Sequence, residues 1–286
     1  MHPHGVKYTK PHEGAYYADG SDMTGDYIMP GVCAYYSWAV PETAGPGPGD
    51  SSTKAWLYHG HVSETGDTNA GLVGAIIVGR MGATRASDRK PTDVDREFVT
   101  LFSILDENDS PLMSENAHLT LDLDDTDATD SETLTHLQMD ESFKESNQMH
   151  AINGYVYGNL NGDRGLSMVE GEVVRWHVMG LGNQEDIHTP HWHGQTFLLG
   201  GGSSGGQRVD VVNILPATQL TVEGTMNNPG TWLYHCHVNH HIHAGMTALY
   251  TVAPCATAPC SSASPLSRPL MMSEELERQS RSESSA

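Results

Sequence analysis

The chain has 286 residues, with 36 acidic against 15 basic side chains and a formal charge of −21. That balance excludes nucleic acid and anionic membrane surfaces as partners and suits a soluble protein that attracts cations. The length gives a prior of about two domains, and 37% hydrophobic residues with 30 glycines fit a loop-rich β protein. No apolar run is long enough to cross a bilayer, and no secretory leader pattern opens the chain.

Taken in order, the sequence opens Met1-His2-Pro3-His4-Gly5, and alternation on a strand points both imidazoles to one face. Possible metal ligands this early have nothing before them to build their sheet. The expectation is therefore a fragment or a misassigned start, with an N-terminally incomplete first domain. Residues 27–40 predict strand, turn and strand around Pro30-Gly31, and 41–52 a Pro/Gly-rich loop. Ala55–Val62 carries a second His-x-His pair, His59 and His61, and Leu72–Val78 predicts a strand. Met81–Arg96 reads as a linker and Glu97–Leu105 as the first strand of a second domain. Asp122–Glu145 reads as a solvated acidic loop. Strands are expected over 151–158, 173–178, 207–215 and 219–222, with His188, His191 and His193 between them. From Cys255 to Ala286 the composition predicts a disordered tail. No amphipathic helix of consequence is expected.

The most informative stretch is Thr231–Met246. It places Cys236 between His235 and His237, with His241 five residues and Met246 ten residues beyond the cysteine. Thiolate, imidazole and a weak axial thioether form the donor set of a blue-copper electron-transfer site. Cys236, His241 and Met246 are assigned to it, and His188 completes it as the second nitrogen ligand. If 234–238 is a strand, Cys236 points to one face and His235 and His237 to the other. One strand then touches two metal centres, with Cys236 as the covalent bridge. Counting His235 and His237 there are four His-x-His pairs, two in each predicted domain. Trp-Leu-Tyr-His-Gly-His-Val at 56–62 repeats Trp-Leu-Tyr-His-Cys-His-Val at 232–238, so the two halves read as homologous units, of which only the second keeps a thiolate. Eight paired imidazoles fit a copper cluster that takes electrons singly from an outer site and reduces dioxygen by four. Of the other cysteines, Cys255 and Cys260 bracket a short turn and are a candidate pair, leaving Cys33 free.

His-Pro-His-Gly, the two Trp-Leu-Tyr-His motifs, Met149–Gly154, Gly182–His188 and His235–Met246 together resemble the multicopper oxidases, and more narrowly the ceruloplasmin–hephaestin ferroxidase branch, over roughly 1–252. The resemblance implies an all-β fold of tandem cupredoxin (plastocyanin-like) Greek-key sandwiches: domain 1 over 1–88, domain 2 over 89–254 and a tail over 255–286. It implies copper as cofactor. His188, Cys236, His241 and Met246 would hold type 1 copper, and His2 and His191 type 2 copper. His4, His59, His61, His193, His235 and His237 would hold the type 3 pair. It further implies Fe(II) as electron donor and O2 as acceptor, with an iron site from Glu145, His150 and His240. His240 stands where the family has Asp. Glu185 and Asp186, just before His188, are expected either to add negative potential near the electron-entry edge or to be ordinary surface acids. In two-domain members the cluster is completed between subunits, so a homotrimer is expected, in a secreted, extracellular or lumenal setting.

Three other readings compete. A laccase-like enzyme keeps the coppers and takes electrons from phenols or aromatic amines. A copper nitrite reductase needs the blue site in the first domain, which Gly60 and the eight paired histidines disfavour. A non-catalytic copper-binding fragment, like coagulation-factor A domains, is disfavoured by the complete set of ligand positions.

Overall fold

A computed structural model describes residues 1–17, 25–123, 128–200 and 206–255, with the side chains of 128–131 left aside. The strands are β1 (His2–Pro3), β2 (Thr53–His59), β3 (Val73–Gly79), β4 (Arg96–Asp106), β5 (Gln148–Ile152), β6 (Ser167–Val169) and β7 (Val173–Gly180), followed by β8 (Pro190–Trp192), β9 (Phe197–Leu199), β10 (Gln207–Val209), β11 (Gln219–Thr225), β12 (Gly230–Cys236) and β13 (Thr247–Ala253). Among the described residues five short helices punctuate them: α1 (Glu64–Asn69), α2 (Met113–Leu121), α3 (Ala128–Leu137), α4 (Glu141–Ser146) and α5 (Asn239–His243).

The described residues form three sheets, ordered β1-β2-β3, β10-β9-β11-β7-β4-β5 and β6-β13-β12-β8. The six-stranded sheet lies between the other two, and the strand patterns explain why. On β7 every residue from Val174 to Gly180 is buried, the signature of a strand covered on both faces. Val174, Trp176 and Val178 join Phe102 and Ile104 of β4 and Tyr234, Cys236, Ala248 and Tyr250 of the four-stranded sheet in the main core. Trp192 stacks on Tyr234 with centroids 5.0 Å apart, and Trp176 lies 5.0 Å from the same ring. The alternate residues face the three-stranded sheet: Met179 of β7, with Val99 and Leu101 of β4, packs on Ala55, Leu57, Val73 and Ala75. On that side Arg175, fully buried, donates hydrogen bonds to Asp93 (2.8 Å), Glu97 (3.2 Å), Glu223 (2.5 Å), Ser52 (3.1 Å) and Thr53 (2.7 Å), tying the start of β2 to the central sheet.

The internal repeat is visible in the topology. β2 pairs antiparallel with β3 on one side and β1 on the other, as β12 pairs with β13 and β8. β13 also takes β6 in parallel on its outer side, whereas β3 has no such neighbour among the described residues.

Several sequence expectations change. Residues 27–40 hold no strand: one isolated bridge joins Lys7 to Ala39, a turn closes from Val32 N–H to the Met29 carbonyl, and Tyr35 is 94% exposed. β-branched and aromatic residues make a strand only where a neighbouring strand receives them, and none does so here among the described residues. The acidic stretch is not simply a loop. α3 and α4 occupy most of its described part and, with α2, bury Met113, Ala117 and Leu134 beside Leu123 and Phe143. The expectation that no helix matters is corrected accordingly: a few apolar residues shared among three short helices leave too weak a periodicity to read. β5 ends at Ile152, because Asn153 and Gly154 both take positive φ in a turn. The predicted strand over 207–215 keeps only its first three residues, and beyond it Val211 and Ile214 make isolated bridges to His191 and His188. The tail from 256 onward, and with it Cys260, lies outside the described residues. Cys33 is a free, exposed thiol. Among the described residues no helix is long and apolar enough to cross a membrane.

Candidate metal centre

The site is built on β12 and the turn after it. Alternation on β12 sends Cys236 into the main core with Tyr234, while His235 lies opposite His191 of β8. α5 follows at once, and its second and third residues are His240 and His241. The chain then returns through Gly245, whose φ of +105° suits glycine, into Met246 and β13.

On the core side His188, Cys236 and His241 bring their donor atoms within 4.8 Å of one another, all three buried. The Nδ1 atoms of His188 and His241 lie 3.9 and 3.4 Å from the Cys236 sulfur and 3.2 Å from each other. Burial pushes the Cys236 thiol up, but the adjoining His188 and His241 rings and the backbone N–H groups of Thr189 and Val238 outweigh it and bring it down to about 6. A buried thiol held as thiolate by two imidazoles is a soft donor set, which fits copper. Met246 is fully buried in the same cluster, its carbonyl accepting from the Cys236 N–H at 3.1 Å. Asp186 is not a surface acid: it is fully buried, and one of its oxygens accepts from His188 Nε2 at 3.1 Å.

On the other side of β12 lies a quartet, His191, His193, His235 and His237, with ring centroids 4.9–5.5 Å apart. His2, His4, His59 and His61 form a second quartet at 5.1–5.7 Å. The two share a hydrogen-bond scheme. His59 Nδ1 meets the Gly60 carbonyl and His235 Nδ1 the Cys236 carbonyl, each at 2.8 Å. His2 and His191 likewise turn Nδ1 to the carbonyls of Glu13 and Asp210, at 3.0 and 2.8 Å. A carbonyl only accepts, so in these four rings Nδ1 carries the proton and the Nε2 lone pair is free. In each quartet two Nε2 atoms then face each other, His4 with His59 at 3.1 Å and His193 with His235 at 3.0 Å. Burial, followed by the neighbouring imidazoles, pushes His4 and His193 below the ordinary histidine value. Burial also dominates at His2 and His235, where it outweighs the hydrogen bond to the carbonyl. Neutral imidazole is the form that ligates a metal. Glu64 stands 3.9 Å from His59 and 3.7 Å from His61, a neighbour the motif reading did not anticipate. Among the described residues no ring contact and no ligand grouping joins one quartet to the other.

The three residues expected to bind iron converge, although they come from α4, β5 and α5. Glu145 Oε1 lies 3.3 Å from His240 Nε2, with both side chains more than half exposed. The His150 ring is 5.2 Å from that of His240 and 5.3 Å from that of His241. Donor atoms of His150, His240 and His241 lie within 4.8 Å of one another. His150 is 1% exposed and its Nδ1 has no partner, and burial together with His241 and His240 lowers its pKa. A buried imidazole with one nitrogen unpartnered, packed beside two other imidazoles, fits a cation.

Comparison with known proteins agrees with this chemistry. Residues 127–255 match the family model described as multicopper oxidase. Hephaestin of Homo sapiens is 41% identical over 263 residues, covering 91% of this chain and 21% of that protein. Ferroxidase HEPHL1 of Homo sapiens is 40% identical over 259 residues, covering 89% and 21%. Ceruloplasmin of Mus musculus is 40% identical over 227 residues, covering 79% and 20%. The chain thus spans about a fifth of the length of these curated relatives. A solved structure described as a multicopper oxidase superposes with a TM-score of 0.54 at 18% identity, covering 88% of this chain and 71% of that one, which shows the fold. The β-sandwich architecture, the copper-type donor sets and these likenesses together place the chain in the multicopper oxidase family.

Proposed function

We propose that this chain is the working unit of a ferroxidase, with two cupredoxin units over 1–88 and 89–254. The observation that carries the reading is the convergence of His150 and His240 on His241, a ligand-type residue of the blue site, with Glu145 3.3 Å from His240. The relative named a ferroxidase supports iron as the donor. Copper bound to these donors would supply one-electron redox chemistry, so that four Fe(II) and four protons convert one O2 to two waters and four Fe(III).

The chain's own residues have separable tasks. Glu145 supplies charge, and His150 and His240 supply nitrogen, to hold Fe(II) at the surface. His241 touches both that cluster and Cys236, so one imidazole spans the gap between donor and blue site. His188, Cys236, His241 and Met246 are assigned to type 1 copper, and their burial keeps water from the thiolate. From Cys236 the backbone gives a covalent route to its neighbours, His235 on β12 and His237 just beyond it. His2 and His191 are assigned to type 2 copper. His4, His59, His61, His193, His235 and His237 are assigned to the type 3 pair.

Each quartet alone supplies half of these ligands, so we propose that subunits pair first-unit quartets with second-unit quartets, in a closed homotrimer. The same separation favours a second reading for an isolated chain: a copper protein that takes electrons but does not reduce O2. Sedimentation of the copper-loaded protein alongside an oxygen electrode tests both readings. Oxygen uptake on Fe(II) confined to the trimer is expected. A monomer that consumes oxygen refutes the intersubunit arrangement. A copper-loaded trimer inert to Fe(II) yet active on a phenol refutes iron as the donor.

A further inference from the structure

Among the groups around the blue site, Asp186 is the one whose burial has no explanation in packing. It lies in the turn between β7 and β8 and is 0% exposed. An isolated carboxylate in such a place is strongly disfavoured unless donors compensate it. Three do. Oδ1 accepts from the Ile104 N–H at 2.7 Å and from His188 Nε2 at 3.1 Å, and Oδ2 accepts from the Asn183 N–H at 2.9 Å. The backbone is shaped to admit it. Gly182 sits at φ +135°, and a Cβ there would lie 2.0 Å from Asp186 Oδ2.

Two of these bonds anchor the carboxylate to fixed backbone, on β4 and in its own turn. The third holds one face of a ligand-type ring. An ionised carboxylate only accepts, so the proton of the neutral imidazole is on Nε2. That leaves the lone pair on Nδ1, the atom 3.2 Å from His241 Nδ1 and 3.9 Å from the Cys236 sulfur. The opposite tautomer would aim an N–H at the same point and abolish the donor set.

We propose that Asp186 is the positioning residue of the blue site: anchored on β4 and on its own turn, it fixes the tautomer and the plane of His188. Its fixed negative charge also favours the more positive copper state, which lowers the reduction potential. This inference rests on the blue-site assignment above. The arrangement follows a general pattern in which a carboxylate orients a metal-binding histidine, and whose loss typically costs about 10–100-fold in metal affinity.

The test uses the full chain with Asp186→Asn and Asp186→Ala, and Asp186→Glu as the charge-keeping control. In copper-loaded protein, Asp186→Asn is expected to change the ratio of Cu(II) to Cu(I) affinity by about tenfold, ~59 mV upward for one electron. Asp186→Ala is expected to lose Cu(II) affinity by about 10–100-fold, and Asp186→Glu to recover most of the potential. A purely structural role would lower the melting temperature of all three variants without moving the potential of those that stay blue. That result overturns the proposal. Nitrogen-15 NMR of metal-free protein gives an arm independent of copper. The proposal requires His188 protonated at Nε2 in the parent chain and a mixed or reversed tautomer in Asp186→Ala. Protonation at Nδ1 in the parent chain would overturn it. If the parent chain binds copper without a blue band, the blue-site assignment fails, while the NMR arm still decides what Asp186 does to His188.

Discussion

His240→Asp gives the sharpest test of the proposed electron-entry site. His240 Nε2 lies 3.3 Å from Glu145 Oε1, and both side chains are more than half exposed. The substitution replaces a neutral donor by a unit negative charge beside an existing one. Two unit charges about 4 Å apart in water interact by about 1 kcal/mol, and a divalent cation doubles that to about 2 kcal/mol. At 1.4 kcal/mol per tenfold this is about 30-fold in affinity, trimmed toward about tenfold by physiological salt. The position tolerates the change, because His240 is the second residue of α5, where an acidic side chain meets the positive end of the helix. The KM for Fe(II), followed by oxygen uptake, should therefore fall by about 10–30-fold with little change in kcat. A neutral phenolic donor should be indifferent, and the gain on iron should shrink in molar salt. A KM for Fe(II) within twofold of the parent value, or an equal shift on the phenol, would refute the placement of iron at Glu145, His150 and His240.

Other outcomes follow from the same contacts. Arg175→Met leaves Asp93, Glu97 and Glu223 facing one another without their shared cation. Breaking such a network costs about 3 kcal/mol where the carboxylates can partly rehydrate, so calorimetry of the metal-free protein should show the melting temperature fall by roughly 6–12 °C; a fall under about 2 °C would mean the network is not holding β2 to the central sheet. Glu97 gives the pH dependence. Burial raises its pKa, but hydrogen bonds from His177 and Thr53 and the charges of His177 and Arg175 outweigh this and hold it below the usual 4.5. A lowered folded value means its contribution is complete above 4.5 and is lost as pH falls through the folded value. Glu97→Gln should therefore flatten the fall in melting temperature below pH 4.5 and leave the slope above pH 6 unchanged, whereas parallel curves throughout would refute the assignment. Gly182→Ala would set a Cβ 2.0 Å from Asp186 Oδ2. Copper uptake at the blue site should drop by about tenfold or more with the secondary structure retained by circular dichroism, and unchanged uptake would show that the turn adapts freely.

How far the sequence reached depends on the kind of constraint. The grouping of His188 and His241 with Cys236 was legible because ligand chemistry fixes residue type, and alternation on β12 sends Cys236 and His235 to opposite faces. The strands β4, β7 and β11 were legible because burial imposes their pattern. Residues 27–40 misled because strand formation depends on a neighbour rather than on propensity. α2, α3 and α4 were missed because three short helices share one small core, so none shows a clear periodicity. The burial of Asp186 was not legible, since an Asp two residues before a histidine looks like any loop carboxylate. Its only local signal is Gly182-Asn183, which closes the turn around it. The separation of the two histidine quartets is a property of the tertiary fold, and the repeat in the sequence says nothing about the distance between its copies.

The most direct measurement is the visible spectrum and copper content of the copper-loaded protein, before and after anaerobic Fe(II) and again in air. The proposed ferroxidase site requires about four coppers per chain and an intense blue band that Fe(II) bleaches and oxygen restores. Copper-loaded protein without a blue band, or a blue band that Fe(II) leaves intact, would contradict it.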